Sequence, residues 1–263
     1  MRNIRLYIAV RKIVRHWGGK VLVACVALAF GAAANCAEMV VSAAISLSDV
    51  FREIGKDFVT THAGTTIAFN FAATDVLLAQ ISKGAPADVF AAADEASMDG
   101  AEQEGLLLQG SRHDFAANRL VLIVPSAGAA PTKLDEIALP RFARIAMGSP
   151  RTVPAGRYAK AALEQAGLWD KIEPRCVFAL NVRQVLDYVL RGDADAGFVY
   201  ATDAAIMRDK VKVALDVPTP TPVRNPVAVV RASRHPGEAL AFVESLRGPP
   251  ARDLLAKYGF APP

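Results

Sequence analysis

Short apolar runs alternate along this chain with stretches whose apolar positions recur every three or four residues. MVVSAA (39–44), TIAFNF (66–71), DVFAAA (88–93) and RLVLIV (119–124) have the length and β-branching of strands. Between them, Leu47, Val50, Phe51, Ile54 and Phe58 fall on one helical face, and Leu77, Leu78 and Ile81 on another. A polar helix containing Met98 follows the third run. After PSAGAAPTKLDEI, a linker-like stretch, the alternation resumes with RIAMG (144–148), a helical pattern over 153–167, and RCVFAL (175–180). Val182, Val185, Leu186, Val189 and Leu190 then mark a helix, and AGFVY (196–200), VKVAL (211–215) and PVAVV (226–230) three more strands. Two helical segments, 236–247 and 249–258, close the chain.

Strand–helix alternation of this kind predicts an α/β protein with largely parallel sheets flanked by helices. The apolar runs 119–124 and 226–230 bracket the block between them, so the chain is expected to cross from one lobe to a second, build it and return. That assigns 38–118 plus 231–263 to lobe one, 125–222 to lobe two, and 119–124 with 223–230 to a hinge of two crossover strands. A cleft between two such lobes suits a small ligand.

Composition changes the picture chiefly at the N-terminus. The chain has 263 residues, 52% of them hydrophobic and 21% charged, with a formal charge of +4. Six basic residues and no acid lie within 1–37, so removing them leaves 24 Lys/Arg against 26 Asp/Glu. The basic balance belongs to the leader, which takes away the electrostatic case for nucleic acid. A basic segment to Lys20, the apolar core VLVACVALAFGAAA (21–34) and the small residues of AAANCAE form the three parts of a secretory signal. The core is short of the roughly 20 residues that span a bilayer. Residues 1–37 are therefore expected to be a signal peptide cut between Ala34 and Ala37, giving an exported, monomeric protein. Cys36 at the edge raises a lipid anchor, which the residues before it disfavour. Cys176, in an apolar strand, is expected to be a buried hydrophobe.

The informative positions are those where strands give way to helices. Ser46 in AAISLS, Thr74 in FAATDV, Ala155 in VPAG and Asn181–Val182 in ALNVRQ each open a helical segment with small or neutral residues. Ordinary capping explains each one alone. In a parallel sheet, however, helix N-termini collect at the strands' C-terminal edge, where their bare N–H groups form a neutral trap for anions. A helix end contributes about 0.3–1 kcal/mol, up to ~2 when partly buried. A hydrogen bond to a charged group adds about 1.5–3 kcal/mol. No Lys or Arg is needed, which suits a fully deprotonated tetrahedral dianion.

The segments VSAAISL, FAATDVLLAQISKGAPADVFAAADEASMD, ANRLVLIVP, SPRTVPAGRYAKAALEQAGLWD, NVRQVLDYVLRGDADAGFVYATDA, PVAVV and LRGPPARDLLAKYGF follow one another in an order that resembles the periplasmic molybdate-binding proteins of ABC importers. The resemblance covers essentially all of 38–263. It implies a two-lobed, hinge-closing protein that binds molybdate, and tungstate too, and hands it to an inner-membrane permease, with no cofactor and no metal-cation site. The ligand-binding positions it implies are Ser46, Thr74, Ala155, Val182 and Tyr200. Ser46 and Thr74 would donate from hydroxyl and backbone, Ala155 and Val182 from the backbone alone, and Tyr200 from its phenol. Asp75 departs from the family's consecutive serines and is expected to point outward, supporting the helix N-terminus. Asn181 stands where an acid is common.

Other classes fare worse. His62, His113 and His235 are scattered, and GxSxG, HExxH and Cys-x-x-Cys patterns do not occur, so the chain is not expected to be an enzyme. The competing ligand is another small anion: sulfate, thiosulfate or an organic carboxylate.

Overall fold

The computed structural model describes residues 37–263, so the expected leader lies outside the described residues except for Ala37. Lobe one begins with β1 (Ala37–Ala44), a short 3-10 turn (Ile45–Leu47) and α1 (Ser48–Thr61). It continues through β2 (Thr65–Ala72), α2 (Thr74–Ser82), β3 (Val89–Ala91), α3 (Glu95–Gln103) and β4 (His113–Asn118). Lobe two holds β5 (Leu120–Pro125), β6 (Ile145–Gly148), α4 (Pro154–Gln165), α5 (Trp169–Ile172) and β7 (Cys176–Ala179). It then adds α6 (Val182–Leu190), β8 (Ala196–Tyr200), α7 (Ala201–Ile206) and β9 (Val211–Asp216). The chain returns to lobe one as β10 (Val223–Val229), α8 (Pro236–Ser245) and α9 (Pro249–Lys257).

Each lobe is built on a five-stranded sheet, in the orders β2-β1-β3-β10-β4 and β7-β6-β8-β5-β9. The two sheets share one plan. β1, β2 and β3 run parallel, and β10 lies antiparallel between β3 and β4. β6, β7 and β8 run parallel, and β5 lies antiparallel between β8 and β9. Continuous apolar runs fill the interior positions, as burial on both faces requires: Val121, Leu122 and Ile123 of β5, and Val227, Ala228 and Val229 of β10, are fully buried.

That burial corrects the expected hinge. The strands 119–124 and 223–230 do not bridge the lobes; they are inner members of the second and first sheets respectively. The crossings are shorter, at 118–120 between β4 and β5 and at 216–223 between β9 and β10. They are polar enough to be tied by side chains: Asn118 Nδ2 donates to Thr202 Oγ1 at 2.9 Å. The apolar character that suggested a bridge reflects a place in the middle of a sheet.

In lobe one, Phe51 and Phe58 of α1 pack edge-on against Phe242 of α8. Lys257 and Tyr258, at the end of α9, both bind Glu53 of α1. The closing helices therefore cover the face of the first sheet that α1 also covers. In lobe two, Cys176 is half-buried rather than buried as expected, because β7 is an edge strand; its thiol sits 3.4 Å from Met147 Sδ, and partial burial pushes it up to about 12. A thiolate is the reactive form. Iodoacetamide at pH 8 is thus expected to leave the Cys176 peptide unmodified in the native protein and to alkylate it in urea, as mass spectrometry of the digest would read. Equal labelling in both states would contradict the raised thiol.

Candidate functional site

The parallel register brings the strand ends together. Ala44 of β1 lies beside Ala72 of β2, and Ala43 beside Ala91 of β3, so the next residues on each strand emerge at one edge. In lobe two, Gly148 of β6 lies beside Ala179 of β7. The two edges face each other around a small cleft with at most about 210 Å³ of atom-free space, lined among others by Ser46, Thr74, Ala155, Val182 and Tyr200. All five expected positions are thus brought to one place, each of them buried.

Each of the four turns leaves donors free for a definable reason. At α4, Pro154 has no N–H, and the N–H groups of Gly156 and Arg157 both go to the Val153 carbonyl. Ala155 is left as the first-turn residue whose N–H has no helical acceptor. The approach is possible because two glycines meet: a Cβ on Gly156 would lie 2.0 Å from the Gly148 oxygen, and one on Gly148 would lie 2.4 Å from Val153 Cγ1. At α6, Asn181 is the N-cap, its Oδ1 accepting from Gln184 N at 3.0 Å, while Gln184 Oε1 accepts from Leu180 N at 2.7 Å. This reciprocal capping satisfies the Gln184 and Leu180 N–H groups and leaves the Val182 N–H at the helix mouth. Asn181 is therefore a cap as well as a neutral substitute for an acid.

At α2, Val76 and Leu77 donate to the Ala73 carbonyl, leaving the Thr74 and Asp75 N–H groups unbound by the helix. The Thr74 hydroxyl accepts from Ala93 N at 3.2 Å, which holds its own proton in reserve for a further acceptor. Ser46, in the 3-10 turn before α1, is 4% exposed, and its hydroxyl makes no hydrogen bond to a described residue. Tyr200, at the end of β8, donates its phenol to the Ala93 carbonyl across the cleft at 3.2 Å. Burial holds that phenol well above its ordinary value, so it stays protonated. It could serve a ligand only by turning its proton out of the Ala93 bond.

No charged side chain lines the cavity. The nearest charges are matched to one another. Asp75 is turned away from the cavity, as expected, but it does more than support the α2 N-terminus. Its carboxylate pairs with Arg157 (2.5 Å) and accepts from Ser97 Oγ (2.7 Å). Arg157 also binds Asp94, at 2.6 Å. A second arginine, Arg183, lies 2.7 Å from Asp49 Oδ2 and 2.6 Å from Asp203 Oδ1. Asp203 is fully buried and neither oxygen has an aligned hydrogen bond; desolvation raises it to about 6 against the lowering pull of Arg183. Neither arginine figured in the sequence reading. The available signal was position: each follows a donor residue by one or two places, in VPAGR and NVR.

Among the described residues there is no cluster of His, Cys, Asp and Glu able to hold a metal ion, and no helix is long and apolar enough to cross a membrane. The cavity thus offers neutral hydrogen-bond donors from both lobes.

Known proteins agree with that arrangement. The chain is 36% identical over 225 residues to a putative ABC transporter substrate-binding lipoprotein, YvgL, of Bacillus subtilis, covering 84% of this chain and 85% of that one. It is 35% identical over 245 residues to the molybdate-binding protein ModA of Escherichia coli, covering 89% and 94%. Among solved structures, the periplasmic molybdate-binding protein of Azotobacter vinelandii superposes with a TM-score of 0.73 at 26% identity, covering 86% of this chain and 99% of that one. All three are named as binding proteins, the first as part of an ABC transporter. The family profile described as bacterial extracellular solute-binding protein matches residues 39–261, and the chain belongs to that family.

Proposed function

We propose that this protein captures molybdate, and tungstate with it, outside the cytoplasm and delivers it to an ABC permease. The observation that carries the reading is a small cavity, uncharged at its lining, around which helix starts from both lobes bring Ser46, Thr74, Ala155, Val182 and Tyr200. A tetrahedral dianion has four acceptor corners and no proton to give. Backbone N–H and hydroxyl donors match it, whereas a lining carboxylate would be needed to accept from a protonated anion. Five to seven donors at about 1.5–3 kcal/mol each, less the costs of desolvation and closure, support micromolar to nanomolar binding, roughly 8–12 kcal/mol. The relatives named as molybdate-binding proteins support this ligand over other anions. The basic, apolar leader with its small-residue end supports export through a cleaved signal peptide.

Sulfate has the same charge and shape and a smaller radius, so it is the sharpest competitor. Calorimetric titration of the exported protein with molybdate, tungstate, sulfate and phosphate decides between them. Molybdate and tungstate are expected to bind tightly, with sulfate at least about a hundred-fold weaker, a gap of roughly 2.7 kcal/mol. Equal binding of sulfate, or none of molybdate, overturns the assignment.

A further inference from the structure

The two arginines beside the cavity do not line it, yet both join the lobes. Arg157 stands on α4 of lobe two, two residues after Ala155. Its guanidinium reaches Asp75 and Asp94 of lobe one, with Nε and Nη2 both donating to Asp94 Oδ2 at 2.9 and 2.6 Å and Nη2 to Ser97 Oγ at 2.8 Å. Those acids are chain neighbours of Thr74 and Ala93, which line the cavity. Arg183 stands on α6 of lobe two, directly after Val182. It crosses to Asp49 of α1 in lobe one and is held from behind by the buried Asp203 of its own lobe. The same turns that present donors inward therefore present a charge outward, and the opposing lobe supplies the matching carboxylates.

We propose that Arg157 and Arg183 are interlobe latches: positioning residues that hold the lobes closed and so set how long a ligand is retained, without touching it. The proposal rests, for its ligand, on the oxyanion reading above. Three features carry it. The contacts run between lobes, so parting the lobes breaks them. They are partly shielded, with the arginine side chains 28% and 21% exposed, so they are screened less than fully solvated surface pairs. They are also forked. Arg157 binds two carboxylates at once, a geometry that a planar guanidinium provides and an ammonium does not. Asp75, whose carboxylate beside an anion site looked unfavourable, then has a purpose. With Asp94 it is the lobe-one half of a latch, and Arg157 cancels part of the charge it would otherwise project toward the anion.

The test measures closure and release separately. In the intact exported protein, Arg157→Gln with Arg183→Gln is expected to raise the dissociation rate of molybdate, measured by stopped-flow chase with tungstate, by about tenfold or more. That factor corresponds to about 1.4 kcal/mol. The association rate should change much less, because the donors stay in place. Small-angle scattering of the ligand-free double variant should give a larger radius of gyration than wild type. Arg157→Lys should recover part of the retention but not all. Asp49→Asn, at an exposed partner, breaks the Arg183 latch with little effect on folding and should raise the dissociation rate alone; it guards against a double variant that fails to fold. Unchanged dissociation and unchanged radius in the folded variants overturn the latch. If wild type binds no molybdate, the ligand reading fails while the scattering comparison still judges closure.

Discussion

Val182→Pro is expected to weaken molybdate binding by roughly 10–150-fold while leaving the protein folded. Val182 opens α6, where an N–H has no helical acceptor and proline is favoured by its fixed φ. The residue before it, Asn181, is extended at φ −162° and ψ 170°, the region a pre-proline residue prefers. The Asn181–Gln184 cap does not involve the Val182 N–H, so it survives. The buried side chain changes shape, at a cost below about 1.5 kcal/mol. What disappears is a single N–H, worth about 1.5–3 kcal/mol when it donates to an ion, and the affinity ratio follows from that. Calorimetry paired with a thermal melt checks it. An unchanged affinity in a folded variant would show that this N–H does not meet the ligand.

Most of the fold was legible because its strands are short apolar runs separated by clear helical periodicity. β5 and β10 stand out as continuous hydrophobic stretches because they sit inside sheets. The same signal misled about the hinge, since burial within one sheet and passage between two leave similar apolar runs. β4 (HDFAAN) was not foreseen. It is the edge strand of its sheet, with Phe115 and Ala116 buried and polar residues at both ends, so neither alternation nor a run marks it. α7 is a single short helix after Tyr200, too brief to show a period.

The inward half of the site was readable and the outward half was not. Ser46, Thr74, Ala155 and Val182 announce themselves because strand-to-helix turns must expose N–H groups, and parallel strands must bring them to one edge. Tyr200 carried no such local signal, and only the resemblance to a family singled it out. The arginine contacts join residues far apart in the chain, Arg157 to Asp75 across 82 positions and Arg183 to Asp49 across 134. Charged residues on helices are solvated by default, so nothing in spacing separates a latch from a surface pair. Asp75 was the one visible anomaly, a carboxylate where an anion is expected, and its explanation needed the opposing lobe.

Gly156→Ala should lower the melting temperature by roughly 2–12 °C and weaken molybdate binding by about tenfold or more. Alanine normally gains about 1 kcal/mol over glycine in a helix, so propensity alone predicts the opposite sign. Geometry decides: the new Cβ would lie 2.0 Å from the Gly148 oxygen, 2.6 Å from its carbon and 3.0 Å from the Ser149 carbon. All three are backbone atoms of the β6 end, so no side chain can swing aside, and α4 must retreat from the sheet. Overpacking of this kind costs about 1–3 kcal/mol, occasionally more, and each kcal/mol is worth about 2–4 °C in a domain of this size. The retreat also carries the Ala155 N–H away from the cavity and Arg157 away from Asp75 and Asp94, so affinity falls with stability. Gly237→Ala is the control. It sits near the start of α8 with open space where its Cβ would go, and it should raise the melting temperature slightly without altering binding. The same chemical change thus takes opposite signs at two helix starts. If Gly156→Ala behaved like Gly237→Ala, the close approach of α4 to β6 would not be what positions this turn.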